Sequence, residues 1–371
     1  MPRIPLTPIA PSPIPCPYHL FPPPCYRRGM GGIWPEAEPS DLLVLSGAEL
    51  QRLLDREALI AAMAEAMRAY SAGAALAPLR IIMRLPGPAV RLLAAMPGYV
   101  AGAGGNGEAL GAKLVSVYPA NTARGLESHY GAVIVYDPET GRPAALMDGT
   151  FITTARTAAV SAVSVQQLAR PDAAELAIIG AGVQGRAHLW ALAGSRPFRE
   201  ARIASRTAEH ARALAESAGP HLPFRVRAVA NVRAAVEGAD VIVTATSAAE
   251  PVLQRGWLKP GTHIVAVGSS TPEARELDSE TVRDALLVVD SRAGALNEAG
   301  DILTPLREGL IAETHVHAEL GELLAGTRPG RTSAEQLTLY KSLGLAVQDV
   351  AAARLALDRA RAAGAGTRVR L

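Results

Sequence analysis

"ELAIIGAGVQGRAHLWALA", residues 175–193, decides how the chain is read. An apolar strand runs into a turn with Gly180, Gly182 and Gly185 at G-x-G-x-x-G spacing, and small helix formers follow. In such a turn the first glycine allows the tight bend and the second admits a pyrophosphate close to the backbone. The third lets the helix pack close to the strand. The opening turn of the helix, with Val183 and Gln184, offers free amides and the positive end of its dipole to a phosphate. The glycines alone are a weak signal. A strand before them, a helix after them and further βα units beyond supply the context that a dinucleotide site requires.

Towards the C-terminus the pattern alternates. Strands "EARIAS", "FRVRAV", "DVIVTAT", "HIVAVGS" and "ALLVVD" are interleaved with helices such as "AEHARALAESAG" and "VRAAVEG", which predicts a parallel sheet wound with helices. The second strand ends in "IASRT". An NAD site usually carries a carboxylate there for the ribose 2′-hydroxyl, whereas this chain has Ser205, Arg206 and Thr207. A guanidinium and two hydroxyls suit a 2′-phosphate, so the stretch favours NADP(H), with NAD(H) as the alternative. Thr246 and Ser247 follow "DVIVTA" at the carboxyl edge of the sheet, where the cofactor would cross.

Towards the N-terminus, "DLLVLSGAELQRLLDREALIAAMAEAMRAYSAG" predicts a strand, a Ser-capped helix and a longer amphipathic helix. Five strand-like stretches follow, "LRIIMRL", "RLLAAMPGYV", "GAKLVSVYP", "YGAVIVYD" and "RPAALMDG", implying a mainly antiparallel sheet. "TFITTARTAAVSAVSVQQLA" predicts a helix capped by Thr153 or Thr154. Beyond about residue 312 the chain returns to helices, with residues 334–363 as one long final element packing on the first domain. The fold class is therefore α/β, with a Rossmann-type doubly wound parallel sheet inserted into a second, α+β domain. Residues 161–312 form the nucleotide-binding domain. Residues 41–160 plus 313–371 form the substrate-binding and dimerisation domain. Residues 1–40 hold 12 of the 28 prolines and read as a disordered tail.

A chain of 371 residues suits two domains, and 49% hydrophobic against 19% charged residues suits an enzyme core. A net charge of +2 and the lack of basic clusters interleaved with aromatics argue against nucleic acid. Cys16 and Cys25 both lie in the tail, so neither a disulfide framework nor a cysteine metal site is expected, which suits a reducing cytoplasm. His315 and His317 in "THVH" lack a third ligand, and no metal is expected. No apolar run is long enough for a membrane span and no signal peptide stands out.

Of 37 basic residues only Lys113, Lys259 and Lys341 are lysines, which draws attention to places where a compact, titratable amine is kept. Lys113 interrupts an apolar strand and Arg156 interrupts a helix of small residues; a permanent charge on such a helix needs an anion. Arg80 in "APLRIIM" is the third candidate. Three such cations point to an anion between them.

From about residue 41 to 358 the chain resembles the ornithine cyclodeaminase and mu-crystallin family, which includes ketimine and iminosuccinate reductases and an alanine dehydrogenase. The likeness rests on "APLR", "AAMPGY", "GAKLVSVYPANTARGLESHYG", "TGRPAALMDGTFITTARTAA", "IIGAGVQGRAH", "ASRT", "VGSSTPEARELD", "NEAGDIL" and "LYKSLGLAVQD". It implies a homodimer formed through the first domain's sheet and an active site between domains. It implies that Arg80, Lys113 and Arg156 hold the carboxylate of an amino or imino acid as catalytic and binding groups, and that Met96 lines the substrate pocket. Ser128 would stand near the cofactor phosphates or substrate, and Lys341 beside the nicotinamide. Cyclodeaminases carry an aspartate in a Gly-Gly-Asp-x-Pro segment, where it serves the distal amine. Here the segment is "GSSTP", with Ser270 in that position. The departure implies an NAD(P)H-dependent reductase of 2-imino acids, ahead of a cyclodeaminase or a catalytically weak mu-crystallin-like binding protein.

Overall fold

The computed structural model describes residues 41–102 and 107–370. The expected proline-rich tail, with both cysteines, lies outside the described residues. The chain enters through β1 (Asp41–Leu45), then a helix Gly47–Leu53 on which Ser46 and Glu49 form a reciprocal capping box, then a helix Arg56–Ser71 capped by Asp55. Strands β2 (Ala75–Leu76), β3 (Ile81–Arg84), β4 (Leu92–Val100), β5 (Ala109–Val117), β6 (His129–Tyr136) and β7 (Pro143–Asp148) follow. β4 to β7 pair antiparallel in chain order, β2 and β3 both lie against β4, and β7 runs parallel to β1. The mainly antiparallel sheet predicted from the sequence is present.

Strand alternation gives this sheet two different faces. On β5, Ala109, Gly111 and Lys113 turn to the covered side, while Leu114 is exposed. The register sets Met96 opposite Lys113, and Val133 on its other flank.

The helix Gly149–Leu168 is buried along most of its length and packs on the helices Arg56–Ser71, Val183–Leu192 and Ala346–Ala363. Small residues allow that close approach. The hydroxyls of Thr157, Ser161 and Ser164 are satisfied by carbonyls one turn back, so their burial leaves no donor unpaired. Its cap is not Thr153 or Thr154 but Asp148, whose carboxylate accepts from the amides of Thr150 and Phe151. Thr154 instead bonds back to the Thr150 carbonyl from inside the first turns.

The second sheet holds β8 (Glu175–Ile179), β9 (Glu200–Ala204), β10 (Arg225–Ala228), β11 (Val241–Thr244), β12 (His263–Ala266), β13 (Leu286–Val289), β14 (Val316–Glu319) and β15 (Thr338–Lys341). All pair parallel, in the order β10-β9-β8-β11-β12-β15-β13-β14. The order reverses at β8, and the crevice at such a switch point is where doubly wound sheets take ligands.

Two expectations need correction. The second sheet does not end near residue 312, because β14 and β15 belong to it, β15 lying between β12 and β13. Residues 334–363 are not one helix: β15 comes first and the helix proper is Ala346–Ala363. That helix packs on β4, β5 and β6, and β16 (Thr367–Arg370) closes the first sheet beside β1. Among the described residues no helix is long and apolar enough to cross a membrane.

Candidate active site

The glycine turn follows β8 at the switch point. Gly180 has φ of 109°, and a Cβ on it would collide with the Ala245 carbonyl. A Cβ on Gly185 would collide with the Gly180 carbonyl, so helix and strand are as close as the spacing implies. Gly182 differs: a Cβ there meets nothing within 4 Å. The middle glycine thus borders open space in front of the helix Val183–Leu192, whose N-cap is Gly182 and has no side-chain cap. Val183 is exposed, and the amide oxygen of Gln184 has no hydrogen-bond partner. The uncapped helix N-terminus and the open space at Gly182 are the features a pyrophosphate cradle needs, so the residues present fit a dinucleotide.

Ser205, Arg206 and Thr207 sit in the next turn, after β9. Arg206 is exposed and makes no ion pair or hydrogen bond among the described residues. Ser247 is exposed beyond β11, whereas Thr246 is drawn inward by a buried carboxylate. That carboxylate is Glu276. Its two oxygens accept from the hydroxyls of Thr244 and Thr246 and from the amides of Thr246 and Gly268, at 2.7–2.8 Å. Asp301 then accepts from the amides of Glu276 and Leu277 and pairs with Lys341 at 2.9 Å. Lys341 donates to the Ser269 carbonyl and is fully buried. Lys341 is therefore a strand residue committed to the loop of residues 267–276, not an open amine on a helix. Burial pushes the Glu276 carboxyl up, with Asp301 adding to the effect and Lys341 opposing it. Ser270 is exposed on that same loop.

The three candidate cations converge. Lys113 lies 2.8 Å from one oxygen of Asp349, and Arg156 Nε lies 2.9 Å from the other. Arg156 also donates to Gln348 at 2.6 Å and lies against Gly344, where a Cβ would fall 2.5 Å from its guanidinium. Gly344, at φ 85°, leaves room for that contact. Arg80, just before β3, donates to the carbonyls of Leu343 and Gly344 and pairs with Glu298 at 2.8 Å. Asp290, beyond β13, accepts from the amides of Leu343 and Gly344 at 2.7 and 2.6 Å. Met96, 5% exposed, stands across the strand pair from Lys113. Ser128 is near in sequence but is hydrogen bonded to His129 at 2.8 Å.

Burial lowers the Lys113 amine to about 8; Asp349 opposes that, and Arg156 and Arg80 add to it. Burial alone would raise Asp349, but Arg156 and Lys113 outweigh it and hold the carboxyl below its ordinary value. Burial raises both Asp290 and Glu298. From the sequence, Asp349 reads only as a support of the domain interface with no chemical role, and Asp290 and Glu298 give no signal of a role. Asp349 and Asp290 end or interrupt apolar runs, and three cations on buried elements require anions to balance them.

Lys259 serves elsewhere, on Asp240 at the opposite edge of the sheet. His315 and His317 hydrogen bond to the carbonyls of Val282 and Pro329.

The family model of the ornithine cyclodeaminase/mu-crystallin family matches residues 41–364. The chain belongs to this family. It is 42% identical to the mouse ketimine reductase mu-crystallin over 266 residues, 72% of this chain and 80% of that one. The structure of Δ1-pyrroline-2-carboxylate reductase from Thermococcus litoralis, in complex with NADH and L-proline, superposes with a TM-score of 0.85 at 43% identity, covering 88% of this chain and all of that one. An archaeal alanine dehydrogenase, described as a dimer with bound NAD, gives 0.82 at 31% identity and covers 89% and 99%. The imine-reductase reading, taken from the cationic cleft and from Ser270, agrees with the first two of these relatives.

Proposed function

We propose that the protein reduces 2-imino acids with a nicotinamide cofactor, NADPH in preference to NADH. The observation that carries this is the convergence of Arg80, Lys113 and Arg156 on residues 343–349, which directly follow β15 of the same sheet that carries the glycine turn. Gly180, Gly182, Val183, Gln184 and Gly185 would hold the pyrophosphate, and Ser205, Arg206 and Thr207 the 2′-phosphate. Thr246, Ser247 and Ser128 would lie along the cofactor's path, with Lys341 ordering the loop beneath it. When bound, the reduced nicotinamide supplies a hydride. The chain's own groups fix where it goes: Arg80, Lys113 and Arg156 hold the substrate carboxylate, Met96 shapes the pocket wall, and Ser270 leaves the distal end without a charge partner. Positioning of this kind supplies much of the rate in a bimolecular step.

The outer face of the first sheet exposes Ile81, Met83, Leu93, Leu114 and Leu146, all on one side by register. A contiguous apolar face of that sort is a partner surface, and we assign it to a second copy of the chain.

The test is NADPH oxidation against pyrroline- and piperideine-2-carboxylates, iminosuccinate, and small 2-oxo acids with amines, repeated with NADH. Turnover of at least one imino acid, faster with NADPH, is the expected result. Conversion of ornithine to proline and ammonia without net cofactor reduction would make it a cyclodeaminase. NADPH binding with no turnover of any imine would make it a binding protein.

A further inference from the structure

Three carboxylates answer the three cations of the cleft. Asp349 takes Lys113 and Arg156, Glu298 takes Arg80, and Asp290 lies under the influence of Arg156 and Arg80. The cluster is therefore balanced in charge before any substrate arrives, and a substrate carboxylate adds a fourth anion. The protein carboxylates differ in accessibility. Asp349 and Asp290 are fully buried, whereas the Glu298 side chain is 18% exposed and its partner Arg80 21%. Glu298 is the last residue of the helix Arg292–Glu298 in the parallel-sheet part, and Arg80 precedes β3 in the antiparallel part. Their pair joins elements of the two sheets, and with its partial exposure it is the ion pair of this cluster that an incoming anion can reach.

We propose that Glu298 is the exchangeable counter-ion of the carboxylate clamp and the proton donor to the substrate nitrogen. The substrate carboxylate takes Arg80 over, the released Glu298 binds a proton from solvent, and that proton passes to the imine nitrogen as the adjacent carbon accepts hydride. This rests on the imine-reductase reading above. The step balances: hydride adds to carbon, the C=N π pair moves to nitrogen, and the Glu298 O–H bond breaks as N–H forms. The cofactor is left oxidised, and the carboxylate returns to Arg80 when the amino acid leaves.

The charged groups that face Glu298 are Arg80 and Asp290. Burial and Asp290 both disfavour its charge, and Arg80 opposes them. Once Arg80 turns to the ligand, the balance moves towards the protonated acid.

Picolinate carries a carboxylate beside an sp2 ring nitrogen, as a cyclic ketimine does, and NADPH does not reduce it. Its binding to the NADPH complex is followed by nicotinamide fluorescence, and proton uptake by phenol red in weak buffer near pH 7.5. The wild type should take up about one proton per chain on binding. Glu298→Gln should bind picolinate at least as tightly, because Arg80 is then free, yet lose most of the uptake, leaving only the fraction that Lys113, lowered to about 8, takes up near pH 7.5. Its reductase kcat should fall by about 100-fold or more, the usual worth of a general acid. Glu298→Asp should keep the uptake and recover part of the rate. Binding without uptake in the wild type, equal uptake in Glu298→Gln, or weaker binding by that variant would overturn the role of Glu298 while leaving the reductase standing. Failure of the NADPH complex to bind picolinate or to reduce any imino acid would overturn both.

Discussion

Arg156 and Asp349 are joined at 2.9 Å inside the protein, both nearly or wholly out of solvent, and the same carboxylate holds Lys113. One buried anion therefore fixes two cations from different elements, the helix Gly149–Leu168 and strand β5. Replacing it with a neutral isostere leaves two charges uncompensated. Asp349→Asn should lose about 3–5 kcal/mol of stability. Urea unfolding measures the loss, and a carboxylate ligand such as picolinate should restore more stability to this variant than to the wild type. An unchanged midpoint would show that the pair is not coupled as described.

Lys113 titrates within the working range, since burial brings its amine to about 8. If its charge helps to bind the substrate carboxylate, kcat/KM falls as pH rises through about 8, because the free enzyme then loses the cation. Lys113→Arg should retain activity at high pH, the guanidinium staying charged. A wild-type profile flat to pH 10 would contradict this.

Arg206 has no partner among the described residues and lies in the turn after β9 that we assign to the 2′-phosphate. Arg206→Ala should lower kcat/KM for NADPH by about 10–100-fold, the worth of charged hydrogen bonds, with little change for NADH. The ratio of the two cofactors is the readout. Equal losses with both would place Arg206 outside cofactor choice.

His188 and His263 are fully buried, and burial lowers them to about 4 and about 3. Unfolded, each takes a proton near pH 6.5, while folded each stays neutral until those lower values. Between them the unfolded chain binds more protons, so stability is intact above pH 6.5. It is lost as pH falls, by about 1.4 kcal/mol per unit for each histidine. Urea midpoints between pH 7.5 and 5 should fall less steeply in His263→Gln than in the wild type.

Much of this was legible in the sequence because the signals were local. Glycine spacing, alternation on β4 to β7, and the charge of Arg156 within a helix of small residues each carry their own physical reason. What escaped was non-local. The four residues of β15 are buried on both faces and too few to show a period of their own, so periodicity could not separate strand from helix. Their place between β12 and β13 comes from pairing across the sheet. Asp290, Glu298 and Asp349 gain meaning only when folding sets them beside the cations, and Glu276 only when it ties the end of β11 to the turn after β12. Asp148 displaced Thr153 and Thr154 as the cap because the helix begins earlier than its threonines suggest.

The central claim is that a carboxylate-anchored imine carbon receives hydride in this cleft. Reduced nicotinamide cofactor carrying deuterium in both C4 positions tests it, with the product of a cyclic 2-imino acid examined by NMR. Deuterium at the α-carbon of the amino acid, in one configuration, is the predicted result. Product whose α-carbon carries no deuterium would contradict the account.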